Sequence, residues 1–258
     1  MAGEEKTLDI SNVLFKHVLD GHTLELFPGL PEIHLPPWLS THGLMLILAT
    51  SVVTLLFVPL FRKPQLKVRG VSVALEALVL FVRDDIVYPI MGEERGDKWL
   101  PFFSTLFIFL LTINYIGLIP AFKTATGNIN VTSALALIIL ALIFIIGFKN
   151  LGSVGFFKNM YPEGVPWPIG IFVLFLEFIG IFLKTMVLSI RIFANMFAGH
   201  IGILCLLVLI FVLHPLMAFI SLPGAFFSYA LEVLVAFIQA LVFTLLSCVY
   251  ITMASSHH

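Results

Sequence analysis

The chain has 258 residues, of which 60% are hydrophobic and only 11% are charged, and its formal net charge is −1. A soluble domain has roughly 45–50% apolar and about 25% charged residues, so a soluble globule of this length cannot hide so much apolar surface. The composition indicates an all-α integral membrane protein with several spans. It excludes a soluble enzyme, a disordered regulator and a disulfide-stapled secreted domain. No nucleic-acid partner is expected, because the sequence has no basic patch.

Residues 1–42 are predicted to form an arm on the outer side of the membrane. Within this arm, the proline-rich residues 28–37 are typical of an extended segment. Residues 1–20 are polar and mixed, without the apolar core of a signal peptide or the arginine-rich composition of a transit peptide. We therefore expect the spans themselves to direct insertion, into a bacterial plasma (inner) membrane. An organelle-encoded protein would have the same kind of N-terminal sequence.

Long apolar runs predict the membrane helices, since a spanning helix needs about 20 apolar residues. The runs predict a first transmembrane helix over residues 43–61, a pair of helices within 100–148, and further helices within 168–253, about five in all. Residues 71–99 differ, because apolar residues at i, i+3, i+4 and i+7 alternate with charged ones. That pattern predicts an amphipathic helix on the cytoplasmic surface, with a plain loop helix as the alternative.

The positive charges predict the orientation of the spans, because cytoplasmic loops are rich in lysine and arginine. A cationic cluster within residues 62–69 follows the first span, and Lys149 and Lys158 follow the third. We therefore expect the N-terminus outside and the loops after the first and third spans inside.

The long apolar stretch 168–222 contains a polar stripe. Glu177, Lys184 and Arg191 are seven residues apart, almost two helical turns, so they share one face of a helix, and Asn195 extends that face. A charge at the bilayer centre costs roughly 2.5–3.5 kcal/mol, so such residues are usually functional. We predict that this stripe lines an ion path.

The last span carries a second stripe, formed by Ser228, Glu232 and Gln239. Glu232 has no basic residue within a turn, so its partner is another helix, water or a proton. His200 is the candidate for proton exchange, because an imidazole titrates near neutral pH. Two facing stripes can hold a chain of waters that carries protons. Arg191 stays charged, so in such a path it acts as a barrier or a fixed counter-charge.

Other interpretations stay open on pattern alone. The stretch 168–222 also fits two ordinary spans, 168–190 and 201–222, with Arg191 snorkelling at an interface and the C-terminus outside. The remaining stripe residues have structural alternatives as interface residues or hydrogen-bonding groups between helices: Glu177, His200, Glu232 and Gln239. No metal or other cofactor is expected, because the histidines and cysteines lack ligand spacing. ATP binding is not expected either, since no GxxxxGK[ST] loop occurs.

Residues 188–200 read LSIRIFANMFAGH. This run resembles the L-S-x-R-x-x-x-N-x-x-A-G signature of subunit a of F-type ATP synthases, the stator subunit of the membrane motor. Further stretches are similar to the family's other helices and loops: Pro101-Phe-Phe with residues 114–120 (NYIGLIP), residues 126–132, and Glu232, Gln239 and residues 250–255. Over residues 38–255 the chain is identified as a member of this family.

The resemblance implies roles for residues of both stripes. Arg191 matches the stator arginine that faces a carboxylate on the ring of c subunits, and Asn195 matches the asparagine one turn later. Gln239 matches a glutamine packed near that arginine. Supporting polar positions are Lys184, Ser228 and Asn114.

The resemblance also implies two half-channels for protons. His200 and Glu232 match two positions that line the outer-side half-channel. Their order is exchanged relative to many bacterial members, as in mitochondrial and some bacterial ones. Glu177 matches an acidic position of the inner-side half-channel. The implied function is to pass protons to and from the c-ring and so convert proton-motive force into rotation.

The family further implies one long, strongly tilted helix that bears the arginine, followed by a hairpin, which returns the C-terminus to the cytoplasm. The expected partners are the c-ring, the peripheral-stalk b subunits, other ATP synthase subunits and membrane lipids, and the chain itself is expected to be non-catalytic. A stand-alone ion transporter or channel is the alternative. It would show inverted repeats and broken helices in both halves, and the sequence shows no such symmetry.

Overall fold

The computed structural model describes residues 23–24, 33–34, 36, 40–62, 70–119, 124–161, 166–212 and 215–255. Two short strands, β1 (Thr23–Leu24) and β2 (Ile33–His34), pair antiparallel with Thr23 opposite His34. Most of the predicted arm, residues 1–42, lies outside the described residues.

Helices make up nearly all of the described chain, which confirms the predicted all-α membrane fold. In chain order the described α-helices are α1 (Thr41–Arg62), α2 (Val71–Phe81), α3 (Tyr88–Met91), α4 (Glu93–Leu118), α5 (Ile129–Asn159), α6 (Trp167–Val212) and α7 (Ala218–Ser255). Among the described residues, four segments are long and apolar enough to cross a membrane: Glu93–Leu118, Ile129–Gly152, Trp167–Val208 and Ala218–Ala254. The shorter apolar segment Thr41–Phe57 lies in α1, where the first span is predicted.

The start of α1 shows how the sequence defines a helix end. The backbone N–H of Gly43 donates to the side-chain Oγ of Ser40 at 3.2 Å, so Ser40 caps the first turn. Further along α1, the hydroxyls of Thr50, Ser51 and Thr54 donate to carbonyls one turn earlier at 2.7–2.8 Å. These bonds satisfy the polar side chains within the helix, so α1 can carry them in an apolar environment.

The segment 71–99, predicted as one amphipathic helix, is divided. α2 follows Gly70, continues through a π-helical turn (Val82–Val87) into α3, and ends at Gly92. Gly92 has φ 75°, a left-handed conformation that glycine adopts at little cost. Residues 93–99 therefore belong to the first turns of α4. The predicted boundary was wrong because apolar spacing does not reveal that a single glycine leaves the helical conformation.

The long stretch after residue 166 is a continuous helix. α6 runs for 46 residues through Arg191 and His200, so the interpretation with a loop at 191–200 is wrong. Gly180, Gly199 and Gly202 lie inside α6 without positive φ angles. The flanking leucine, isoleucine, phenylalanine and methionine residues keep the segment helical.

The chain divides into two compact units. The first unit contains Met1–Leu66, Ile108–Ile129 and Ile192–Ala240. Its apolar core includes Met45 and Ala49 of α1, packed with Ile113 of α4 and Ala125 of the following 3-10 turn. This packing holds the turn after α4 against α1.

The second unit contains Lys67–Phe107, Asn130–Arg191 and Leu241–His258. In this unit α5 departs from helical geometry at Gly152, which has φ 72°. A cluster of aromatic rings with centroids 5.0–6.4 Å apart joins α5 to the first half of α6: Phe144, Phe148, Phe156, Phe157, Phe178 and Phe182. Close side-chain packing of this kind is a main source of helix association in lipid.

Candidate functional site

A partly buried histidine–carboxylate pair lies in the first unit, between α6 and α7. The His200 Nδ1 atom is 2.7 Å from Glu232 Oε1 and 3.1 Å from the Met196 carbonyl oxygen. The Glu232 side chain is only 5% exposed, and that of His200 is 28% exposed. At 2.7 Å the two groups form either a charge-assisted hydrogen bond between imidazolium and carboxylate or a hydrogen bond between the neutral imidazole and the neutral carboxyl group. The pair can therefore hold one exchangeable proton.

The other ring nitrogen of His200 faces the end of α4. Its Nε2 atom is 2.8 Å from Thr124 Oγ1 and 3.1 Å from the Gly117 carbonyl oxygen. The Thr124 hydroxyl also donates to the Gly117 carbonyl at 3.0 Å. The imidazole is thus held on both edges, by α7 and its own helix on one side and by α4 and the following loop on the other.

Gly199 lets the carboxylate of Glu232 approach α6 so closely. A Cβ atom at position 199 would lie 2.6 Å from Glu232 Oε1 and 2.8 Å from its Cδ. Real Cβ contacts are essentially never that short, so a side chain here would displace the carboxylate. The Ala-Gly-His order at residues 198–200 therefore supplies both the imidazole and the space for its partner.

A second polar contact joins the same two helices. Asn195 Nδ2 donates to Gln239 Oε1 at 2.9 Å, so the two predicted stripes face each other here as well. Asn114 of α4 is fully buried, and its Nδ2 donates to the Ala236 carbonyl at 3.3 Å. The first unit thus brings together the predicted residues of α4, α6 and α7.

Several buried polar atoms of the first unit have no hydrogen-bond partner among the described residues. They are Asn114 Oδ1, Thr126 Oγ1, Ser221 Oγ, Glu232 Oε2 and Gln239 Nε2. Buried polar atoms are nearly always hydrogen-bonded, to protein or to ordered water. A polar interior with this many unsatisfied atoms is suited to binding water molecules.

The predicted residues of the second unit are arranged differently. Lys184 Nζ lies 3.4 Å from Glu177 Oε1, and both side chains are near half exposed, so this pair is a partly solvated contact. Arg191 is half-buried and makes no hydrogen bond or ion pair with any residue that the structure describes. Nearby on α6, Ser189 Oγ donates to Thr132 Oγ1 at 3.1 Å.

Not every predicted position has a partner, and one important residue was not predicted. Ser228 is half-buried and forms no hydrogen bond within the described residues. Thr124 was missed because it lies between two helices, where no periodicity points to it. In the described part of the chain, no three His, Cys, Asp or Glu side chains cluster closely enough to ligate a metal ion.

The sequence profile of the family described as "ATP synthase A chain" matches residues 43–252. The chain belongs to the ATP synthase subunit a family. It is 41% identical over 245 residues to ATP synthase subunit a of Myxococcus xanthus (strain DK1622), covering 91% of this chain and 79% of that protein. It is 35% identical over 286 residues to ATP synthase subunit a of Anaeromyxobacter dehalogenans (strain 2CP-C), covering 100% and 74%. A third relative, ATP synthase subunit a of Chlorobium phaeobacteroides (strain BS1), is 36% identical over 260 residues, covering 95% and 76%.

As a subunit a, the chain is a multi-pass membrane protein and a membrane-sector component of ATP synthase. It has the stator role in proton translocation that defines this family. Family membership does not favour the alternative of an ion transporter that works alone.

Proposed function

We propose that the cluster around His200 and Glu232 forms the outer-side half-channel of this subunit a. The single observation that carries this proposal is the contact of His200 with the buried carboxylate of Glu232, with 2.7 Å between Nδ1 and Oε1. A histidine and a carboxylate in hydrogen-bond contact can exchange a proton between them. The unsatisfied atoms of Asn114, Glu232 and Gln239 support a line of water molecules along the same helices.

Arg191 is proposed to face a carboxylate on the c-ring. Its guanidinium keeps its charge at all accessible pH values, so it cannot pass a proton on. A charged side chain in a membrane helix requires a partner or water. Since Arg191 has no hydrogen-bond or ion-pair partner among the described residues, a carboxylate on another subunit is its natural counter-charge. In this position Arg191 favours proton release from the arriving ring site and prevents direct leakage between the two half-channels.

We place the inner-side half-channel near Glu177. The Glu177 carboxylate is near half exposed and lies 3.4 Å from Lys184, so it is open to water and to protons. A proton that enters near His200 is carried around by the ring and leaves along this second path. Each charge that crosses 100 mV supplies about 2.3 kcal/mol. Several such steps per turn drive ATP synthesis elsewhere in the complex, and this chain itself is non-catalytic.

The proposed partners are the c-ring, the peripheral-stalk b subunits and membrane lipids. Little of the apolar segment Trp167–Val208 is buried within the described chain, so α6 has extensive apolar surface for a ring or for lipid. We assign the chain to a bacterial inner membrane with the N-terminus outside and the C-terminus in the cytoplasm. Lys149 and Lys158 after the third predicted span support this orientation.

The role of Arg191 is tested with Arg191→Ala in the purified complex, reconstituted into liposomes. We expect ATP-driven proton pumping to be abolished while the complex still assembles with its c-ring. Arg83→Ala is the matched control, because Arg83 is an exposed arginine that bonds Asp84 at 2.7 Å outside the spanning helices. Normal pumping by Arg191→Ala would contradict the proposal.

The role of the histidine–carboxylate pair is tested by exchanging its members. The single variants His200→Glu and Glu232→His each place two like groups in the pair and should pump poorly. The double variant restores one imidazole and one carboxylate, so it should retain more activity than either single variant. A double variant no better than the singles, in complexes of equal assembly, would argue for a purely structural contact.

A further inference from the structure

The Thr124 hydroxyl links His200 to the end of α4. Its Oγ1 atom is 2.8 Å from His200 Nε2 and 3.0 Å from the Gly117 carbonyl oxygen. Thr124 is buried, with 8% of its surface exposed. Gly117 allows this approach, since a Cβ atom there would lie 2.7 Å from Thr124 Cγ2 and 2.9 Å from Oγ1.

The Gly117 carbonyl, which lies near both the Thr124 hydroxyl and Nε2, favours one placement of the two protons. A carbonyl oxygen only accepts, so the single hydroxyl proton of Thr124 points to Gly117. The hydroxyl oxygen then offers His200 only a lone pair, and the Gly117 carbonyl, 3.1 Å from Nε2, offers another. With the hydroxyl proton on the Gly117 side, both neighbours of Nε2 are acceptors, and this arrangement favours a hydrogen on Nε2.

The opposite edge of the ring favours the competing tautomer. The Met196 carbonyl is 3.1 Å from Nδ1 and would accept a hydrogen from it. A neutral ring with its hydrogen on Nδ1 has no lone pair at that nitrogen with which to accept a proton from Glu232. The proton exchange between Nδ1 and Oε1 therefore depends on contacts that keep the hydrogen on Nε2.

We propose that Thr124 is a positioning residue that holds His200 in the Nε2–H tautomer, with Nδ1 free to exchange a proton with Glu232. This inference rests on the proposed function of the His200–Glu232 pair. Thr124 does not itself carry the translocated proton. It acts through His200, by keeping the ring oriented and its reactive nitrogen on the side of the carboxylate.

The activity test uses the complete ATP synthase in liposomes. Thr124→Val keeps the shape of the side chain but removes the hydroxyl, and it should slow ATP-driven proton pumping by about tenfold, since it removes one of the two acceptors that favour a hydrogen on Nε2. Thr124→Ser keeps the hydroxyl and should restore most of the rate. Thr185→Val is the matched control, because Thr185 is also buried and its hydroxyl donates to the Ile181 carbonyl of its own helix, at 2.9 Å.

A spectroscopic test separates positioning from packing. In the complex labelled with ¹⁵N-histidine, the His200 ring signals are assigned as those missing in His200→Gln. We expect the wild type to show a protonated Nε2, and Thr124→Val to move these signals toward the Nδ1–H tautomer. Unchanged signals together with wild-type pumping would overturn the proposal, as would equal loss of pumping in the valine and serine variants.

The same set of variants distinguishes this inference from the proposed function. If His200→Gln pumps normally, the proton path proposed for the pair is wrong, whatever Thr124 does. If His200→Gln abolishes pumping but Thr124→Val leaves both the rate and the tautomer unchanged, the path stands and only the positioning role of Thr124 fails.

Discussion

Replacing Gly199 by alanine would place a methyl group against the carboxylate that meets His200. The new Cβ atom would lie 2.6 Å from Glu232 Oε1, whereas ordinary contacts begin at 3.4 Å. The carboxylate must therefore withdraw by roughly 0.8 Å, which lengthens its hydrogen bond to about 3.5 Å, the limit of useful geometry. Because the end of the Glu232 side chain is flexible, the backbone need not move.

The magnitude follows from the bond that is lost. A hydrogen bond to a charged group contributes about 1.5–3 kcal/mol, which corresponds to about 10- to 150-fold in a rate that depends on it. Rotation of the Glu232 side chain recovers part of this, so we expect pumping to slow by about tenfold. Assembly should not suffer, since alanine favours a helix over glycine by about 0.8–1.0 kcal/mol.

The assay is the initial rate of ATP-driven proton pumping in liposomes, normalised to the amount of assembled complex. Gly202→Ala is a close control, because Gly202 lies on the same helix and a Cβ atom there would meet no described atom within 4 Å. If Gly199→Ala pumps as fast as Gly202→Ala, the close approach of Glu232 to His200 has no part in proton uptake.

Three further predictions concern the second unit. Ser189→Ala removes a buried hydrogen bond from the Ser189 hydroxyl to α5, so it should lower the stability of the purified complex by about 0.6–1 kcal/mol. Thermal unfolding measures this change, and an unchanged stability would mean that the bond contributes nothing. The Tyr88 hydroxyl donates to Asp97, which raises the pKa of Tyr88 above its usual 10.0, so this bond is intact below pH 10.0 and lost as the pH rises through the raised value. Tyr88→Phe should therefore speed hydrogen exchange around residues 92–97 at pH 7 but not above the raised pKa, and an equal effect at both pH values would refute the assignment. Gly152→Ala places a side chain at φ 72° and should lower the stability of the complex in thermal unfolding by about 1–3 kcal/mol. Gly155→Ala, at a position with an ordinary φ, should not lower it, and an equal loss of stability in both variants would show that the φ of Gly152 causes no strain.

The polar stripes could be predicted from the sequence because helical spacing places side chains on a common face. The contact between Lys184 and Glu177 and the bond between Asn195 and Gln239 follow that spacing. The sequence left the partner of Glu232 open between another helix, water and a proton, and it named His200 as the candidate for proton exchange; in the structure the two side chains lie 2.7 Å apart. The depth of each residue in the membrane and its role in proton transfer stay predictions.

Other features could not be predicted, because they depend on single backbone positions or on residues outside any periodic pattern. Nothing in the pattern of residues 71–99 reveals that Gly92 ends the helix. Thr124 lies in a short connection between two helices, and the sequence around it does not predict its contact with the His200 imidazole, 76 residues later in the chain. From the sequence alone, Gly117 and Gly199 do not differ from other glycines. Only the structure shows that Thr124 and Glu232 occupy the space that a Cβ atom would need at these positions.

Gly117 lies in the last turn of α4, which ends at Leu118. The final carbonyls of a helix have no partners within it and together carry about half a negative charge, worth about 0.3–1 kcal/mol to a nearby cation. Part of the field that steadies a protonated His200 thus comes from the main chain. Alanine scanning cannot detect the contribution of such a group, because replacing a side chain does not remove a main-chain carbonyl. An ester in place of the amide between Gly117 and Leu118 would weaken this acceptor and reveal its contribution.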